Sequence, residues 1–339
     1  MTKKKAYARA GVDVDLGNQL KRGIHQLVRQ THGPEVLGKI GGFGGLFAPD
    51  FSGMREPVLV SSIDGVGTKL KIAFALDRHD TVGADLVNHC INDIAVLGAR
   101  PLFFLDYIGA EKLEPAVFRQ ILRGFTKACR AGGCALVGGE TAQMPGMYKP
   151  GEYDLAGCIV GVVDRRKMIY GSRIKPGDVI LGLPANGLHT NGYSLARKIF
   201  FEQLRWKTSQ RIEGLRLSLG EELLRTHKNY QPLLAQVPDG KLKGLAHITG
   251  GGLVDNLPRV LPNDCDAVIE TTSWKVPPIF QLLADRGKVP RVEMYQVFNM
   301  GIGMAAIVAP NDAVALARQL RATIIGRIEH GSRTTRLSS

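Results

Sequence analysis

Three apolar elements each deliver a carboxylate. The first is VLVSSIDGVGTKLK at 58–71, where an apolar run meets Asp64, turns on Gly65 and Gly67, and finishes in Thr68 and Lys69. The second carries Asp93, and the third reaches Glu140 through Gly138 and Gly139. Glycine lets backbone N–H groups approach an anion closely, a lysine neutralises phosphate, and hard carboxylate oxygens suit Mg²⁺ better than a soft metal. The 58–71 spacing matches neither G-x-x-x-x-G-K-[ST] nor G-x-G-x-x-G. A strand followed by Asp-Gly is also ordinary turn punctuation, so the stretch alone leaves a phosphate site and a structural turn both open.

The second half adds glycine loops at helix starts. In PANGLHTNGYSLAR (184–197), Thr190 or Asn191 can cap a helix beginning near Gly192, with His189 just before it. His189 reads either as a cap or surface residue or as a functional group. HITGGGL (247–253) is a second such loop, and free N–H groups at a helix N-terminus suit an anion. The cluster IGGFGGLF (40–47), with Gly42 and Gly44, reads equally as a flexible loop and as a flap over phosphate.

These residues need elements to position them. Helices are expected over 17–31, 80–98, 115–131, 221–235, 276–285 and 310–320. In 80–98, Asp80 and Thr81 can cap, and Val82, Leu86, Cys90, Ile94 and Leu97 form an apolar stripe. Asp85, His89, Asn92 and Asp93 share another face, either solvated or a ligand site. Strands are expected near 58–63, 101–108 (carrying Asp106), 134–137, 153–163, 178–183 and 305–308. The connector 165–177 divides the chain into residues 1–166 and 167–339, and the tail from Gly331 is expected to be loose.

The 339 residues are 44% hydrophobic and 22% charged, enough for a substantial core and about two domains. The formal charge of +13 fits an anionic partner. Aromatics make up only 6%, and zinc-finger spacing, RNP-type strands and long basic helices are missing, so phosphorylated metabolites fit better than nucleic acid. The short basic runs are Lys3–Lys5 and Arg165–Lys167. Five cysteines without C-x-x-C spacing suggest reduced thiols in a cytoplasmic protein. No apolar run reaches membrane-span length, and the basic N-terminus leads to no apolar signal segment.

Taken in order, AGVD (10–13), GGFGGLF (41–47), DGVGTK (64–69), CIND (90–93), LFFLDY (102–107), LVGGETAQMPGMY (136–148), GLHTNGYSLAR (187–197), HITGGGL (247–253) and FNMGIGM (298–304) resemble the phosphoribosylformylglycinamidine cyclo-ligase family. The resemblance spans about residues 7–328. It implies an α/β (α+β) fold of two domains. The N-terminal four-stranded sheet would pair into an eight-stranded barrel in a homodimer, beside a C-terminal α/β sandwich. It implies ATP-dependent ring closure of formylglycinamidine ribonucleotide to aminoimidazole ribonucleotide, with ADP and phosphate released. A sister small-molecule kinase is the alternative, and a basic nucleic-acid-binding protein a more distant one. By position, Asp64 and Asp93 become catalytic and Mg²⁺-binding carboxylates, with Glu140 as a further metal ligand and Asp106 in reserve. Gly42, Gly44, Gly65, Gly67, Thr68, Lys69, Asn191 and Ser194 would hold ATP. Thr249, Gly250 and Gly251 would take the substrate phosphate, and His189 would transfer a proton or touch phosphate.

Overall fold

Apolar runs in the first half pair as a four-stranded sheet. The computed structural model describes residues 6–12, 14–112 and 114–338, apart from the side chains of 8, 16 and 19–22. The elements begin with α1 (Ala6–Arg9), α2 (Val14–Arg29), β1 (Pro57–Gly65), α3 (Leu70–Leu76) and α4 (Val82–Ala95). They continue with β2 (Arg100–Ala110), α5 (Pro115–Gly132), β3 (Ala135–Gln143) and β4 (Tyr153–Asp164). The strand order is β1-β4-β2-β3, with β4 antiparallel to β1 and β2 and β3 parallel to β2. The parallel pair requires a crossover, and α5 supplies it.

Helix α4 packs between this sheet and α5. The expected stripe holds for Val82, Leu86, Cys90 and Ile94, all fully buried, while Leu97 lies beyond the helix end and is exposed. Gly83 and Gly124 let the two helices touch, since a Cβ on either would run into the other helix's backbone. The expected side-chain cap is absent: Thr81 occupies the N-cap position of α4 and makes no capping hydrogen bond.

The second half forms a six-stranded sheet. Its elements are β5 (Val179–Pro184), α6 (Tyr193–Arg197), α7 (Leu219–Leu223), α8 (Gln231–Leu234), β6 (Leu242–His247), α9 (Gly252–Asn256) and β7 (Cys265–Glu270). Then follow α10 (Pro278–Gly287), α11 (Arg291–Val297), β8 (Ile302–Val308), α12 (Pro310–Leu320), β9 (Thr323–His330) and β10 (Thr335–Ser338). The order is β10-β7-β9-β5-β8-β6. One apolar core is continuous across both halves, from Phe104 and Phe125 to Phe200 and Phe280.

Four expectations change. The helix expected over 221–235 is two short helices, α7 and α8, because the chain between them is drawn into polar contacts with α4. Asp85 accepts the His227 N–H (2.6 Å), and Asn92 Oδ1 accepts the Tyr230 N–H (2.9 Å). The strand expected to stop at Val137 runs through both glycines to Gln143, paired with β2 after a register shift between Phe104 and Leu105 that skips Val137. Gly139 permits this, because a Cβ there would collide with Asp106. The tail is not loose, since β10 pairs parallel with β7 from Thr335 to Ser338. The helix near Gly192 is capped by Gly192 itself in the left-handed region (φ 77°), not by Thr190 or Asn191.

Candidate active site

The C-terminal end of β1 and the polar face of α4 place Asp64, His89 and Asp93 together. His89 Nε2 lies 2.8 Å from Asp64 Oδ2 and 3.7 Å from Asp93 Oδ2. Ser62, also on β1, donates to Asp93 Oδ2 (3.1 Å). The face that could have been solvated is instead interior: Asp85 and Asn92 have no exposure, and His89 is buried.

The second half closes over that face with three more histidines. His247, at the end of β6, places Nδ1 2.8 Å from Asp93 Oδ1. His227, between α7 and α8, lies 3.0 Å from His247 by their Nε2 atoms. Its ring stacks on His189 at a centroid distance of 4.1 Å. Thr190 Oγ1 sits between His89 Nδ1 (2.8 Å) and His227 Nδ1 (3.2 Å).

Electrostatics follow from this packing. Burial pushes the Asp64 and Asp93 carboxyls upward, but histidine hydrogen bonds and charge outweigh it and hold both below the usual carboxylate range. Burial lowers His89, yet the hydrogen bond to Asp64 and the charges of Asp93, Asp64 and Asp85 leave it raised. His189 and His227 are driven well below the ordinary imidazole value by burial, reinforced by neighbouring histidines and Lys69. Both are therefore neutral near pH 7. On the sheet, Asp64 and Asp106 are both register partners of Gly157. Burial, with some help from Glu140, pushes Asp106 up to about 7.

Lys69 is not presented to a ligand. Its ammonium is fully buried and donates to Asp85 Oδ1 (2.8 Å), His189 O (3.0 Å) and Arg225 O (2.6 Å), which uses all three protons. His189 is likewise enclosed, with φ 61° and Nε2 against Asn186 Oδ1 (3.0 Å). Gly67 and Thr68 are exposed, and Thr68 Oγ1 meets Ser194 Oγ across the two halves (3.1 Å). Asn191 stands beside Gly250, whose Cβ would lie 3.4 Å from Asn191 Oδ1. Gly42 and Gly44 lie in an exposed loop anchored by Val36 against Phe47 and by Gly45 against Val137.

Glu140 does not join Asp64 and Asp93 within one chain. It sits on β3, at the opposite edge of the sheet from β1, three strand spacings or about 14 Å away. Among the described residues, the group close enough to share an ion is His89, Asp93 and His247. A cavity of about 530 Å³ opens on Ser62, Asp64, His89, Asp93, His247, Thr249 and Arg259. Thr249 therefore faces the same space as the two carboxylates, with the exposed cation Arg259 nearby.

Sequence reasoning missed the role of His227, whose only signal was a histidine in an apparent helix. It also missed Thr190, read only as a cap, and Arg259.

Two family descriptions match successive parts of the chain: the N-terminal domain of AIR synthase related proteins over 53–163, and the C-terminal domain over 175–337. A phosphoribosylformylglycinamidine cyclo-ligase of Syntrophotalea carbinolica is 51% identical, covering 96% of this chain and 95% of its own. One from Geobacillus kaustophilus is 50% identical over 97% and 96%. The chain belongs to the phosphoribosylformylglycinamidine cyclo-ligase family. The fold of this cyclo-ligase family member is shared more widely. It resembles a thiamine-monophosphate kinase from Stenotrophomonas maltophilia (TM-score 0.68, 20% identity, 93% of this chain and 95% of that one). It also resembles the hydrogenase maturation protein HypE solved in complex with ATP (TM-score 0.65, 18% identity, 92% and 86%). Among the described residues, no helix is long and apolar enough to cross a membrane.

Proposed function

We propose that the cavity between the two halves carries out ATP-dependent closure of formylglycinamidine ribonucleotide to aminoimidazole ribonucleotide, releasing ADP and phosphate in purine biosynthesis. The observation that carries this reading is the junction of Asp64, His89 and Asp93 with Thr190 and His247, built from both halves of a chain about half identical to cyclo-ligases. In the closure a C–N bond forms at the formyl carbon, and the former carbonyl oxygen leaves with phosphate. The protein's task is positioning and charge neutralisation.

The residues fit a hard cation. Asp64 and Asp93 are carboxylates held ionised at the cavity wall, the donor type that Mg²⁺ prefers. Bound there, Mg²⁺ would neutralise phosphate oxygens. Gly67 and Thr68 offer exposed positions to the nucleotide beside half-buried Gly65, whose N–H donates to Asp64 Oδ1 (2.6 Å), with Asn191 and Ser194 opposite and the 41–47 loop as cover. Thr249, Gly250 and Gly251 take the ribose phosphate, with Arg259 supplying charge. Lys69 and His189 act one layer back. Lys69 ties α4 to the second half, and His189 supports His227 by stacking.

Residues 1–166 form the dimerising half and 167–339 the second domain. The uncovered face of the four-stranded sheet supports a homodimer. Leu59 is 62% exposed and Ile63 72%, on the side away from α4. A second copy of this sheet closes that face as a barrel. Five free cysteines suit a reducing cytoplasm.

The test is to supply formylglycinamidine ribonucleotide and ATP with and without Mg²⁺. ADP and aminoimidazole ribonucleotide should appear together and only with the metal. ADP without the imidazole would instead indicate a kinase or an uncoupled ATPase.

A further inference from the structure

His247 Nδ1 lies 2.8 Å from Asp93 Oδ1, and its other ring nitrogen, Nε2, lies 3.0 Å from His227 Nε2. His227 Nε2 also faces Asn92 Nδ2 (3.2 Å). That amide is held by the Tyr230 N–H on its Oδ1 (2.9 Å) and by its own donation to Lys228 O (2.8 Å).

The geometry around Asp93 suits a metal ion. His89 Nε2, His247 Nδ1 and an Asp93 oxygen all lie within 4.8 Å of one another. Each imidazole is held on its other nitrogen, His89 by Thr190 (2.8 Å) and His247 by His227. That support is what orients metal-binding histidines and raises their basicity. Two imidazoles and one carboxylate suit Zn²⁺, Co²⁺, Ni²⁺ or Fe²⁺, whereas Mg²⁺ prefers an all-oxygen set.

We propose that His89, Asp93 and His247 form a binding site for a divalent first-row transition metal of the Zn²⁺ class. Thr190 and His227 orient its two imidazoles. A metal held there engages Asp93, so it inhibits Mg²⁺-supported turnover; this consequence alone rests on the function proposed above.

The test is titration of Co²⁺ into the full-length, nucleotide-free protein, read by d–d absorbance. One equivalent per chain should bind with a tetrahedral or five-coordinate spectrum. Zn²⁺ should displace it, and a large excess of Mg²⁺ should not. His247→Gln should abolish the spectrum. Thr190→Val, which keeps the shape and removes the hydroxyl, should weaken Co²⁺ binding about 10–100-fold. Absence of d–d absorbance in the wild-type protein would overturn the proposal. So would a folded Thr190→Val protein with unchanged Co²⁺ affinity, or displacement by Mg²⁺ at equal concentration. Loss of ring closure in the wild type would overturn the proposed reaction and leave this binding result standing.

Discussion

Lys69 and Asp85 form an ion pair of 2.8 Å in which neither side chain has any solvent exposure. Burial alone would lower the lysine and raise the aspartate, and each opposes that shift in the other. Asp85 also accepts the His227 N–H, so the pair fastens α4 to the second half. Asp85→Ala leaves an ammonium buried without a counter-charge, and the expected loss is about 3–5 kcal/mol. Urea unfolding measures it. A loss under about 1 kcal/mol would mean that water reaches Lys69 in solution.

Asp93→Asn keeps the shape of the side chain and removes its charge. Ring closure should fall about 10²–10⁴-fold in kcat, with circular dichroism unchanged. Near-wild-type turnover would remove Asp93 from the mechanism.

The buried histidines make stability depend on pH. His189, His227 and His247 have folded pKa values below the ordinary 6.5. As pH falls through 6.5, the unfolded chain takes up protons that the folded rings refuse, so stability is lost in acid. His89 is raised, and its contribution runs the other way: it is full below 6.5 and lost as pH rises through the higher folded value. With three lowered rings against one, the urea midpoint should drop between pH 7.5 and 5.5. His227→Gln should flatten that drop, and a midpoint that rises toward pH 5.5 would contradict the assignment.

A homodimer through the open sheet face places Ile63 in an apolar interface. Ile63→Asp should convert a dimer into a monomer at micromolar concentration, read by light scattering. A monomeric wild-type protein would count against the barrel.

Gly83→Ala should destabilise by about 1–3 kcal/mol through overpacking. Its Cβ would strike the Ile121 carbonyl on α5, a backbone atom that cannot swing aside. Thermal unfolding reports the change, and an unchanged midpoint would show that α4 and α5 can separate at no cost.

The sequence by itself determined the local pieces. Periodicity marked α4, α5 and the strands of the first sheet, because their apolar spacing records which face is buried. The ordered set of motifs from 10–13 to 298–304, with 136–148 the most telling, also marked the family. Only the tertiary structure decided which of these residues meet. Strand order put Asp64 and Glu140 on opposite edges of one sheet, and no local pattern encodes strand order. Burial turned Lys69 from a candidate phosphate ligand into an internal brace, since its acceptors come from residues 85, 189 and 225. His227 entered the site because its N–H bonds to Asp85 and the Tyr230 N–H bonds to Asn92, which draws this stretch of backbone away from a helix that propensity alone would continue. Those contacts span about 140 residues, beyond the reach of any pattern read along the chain.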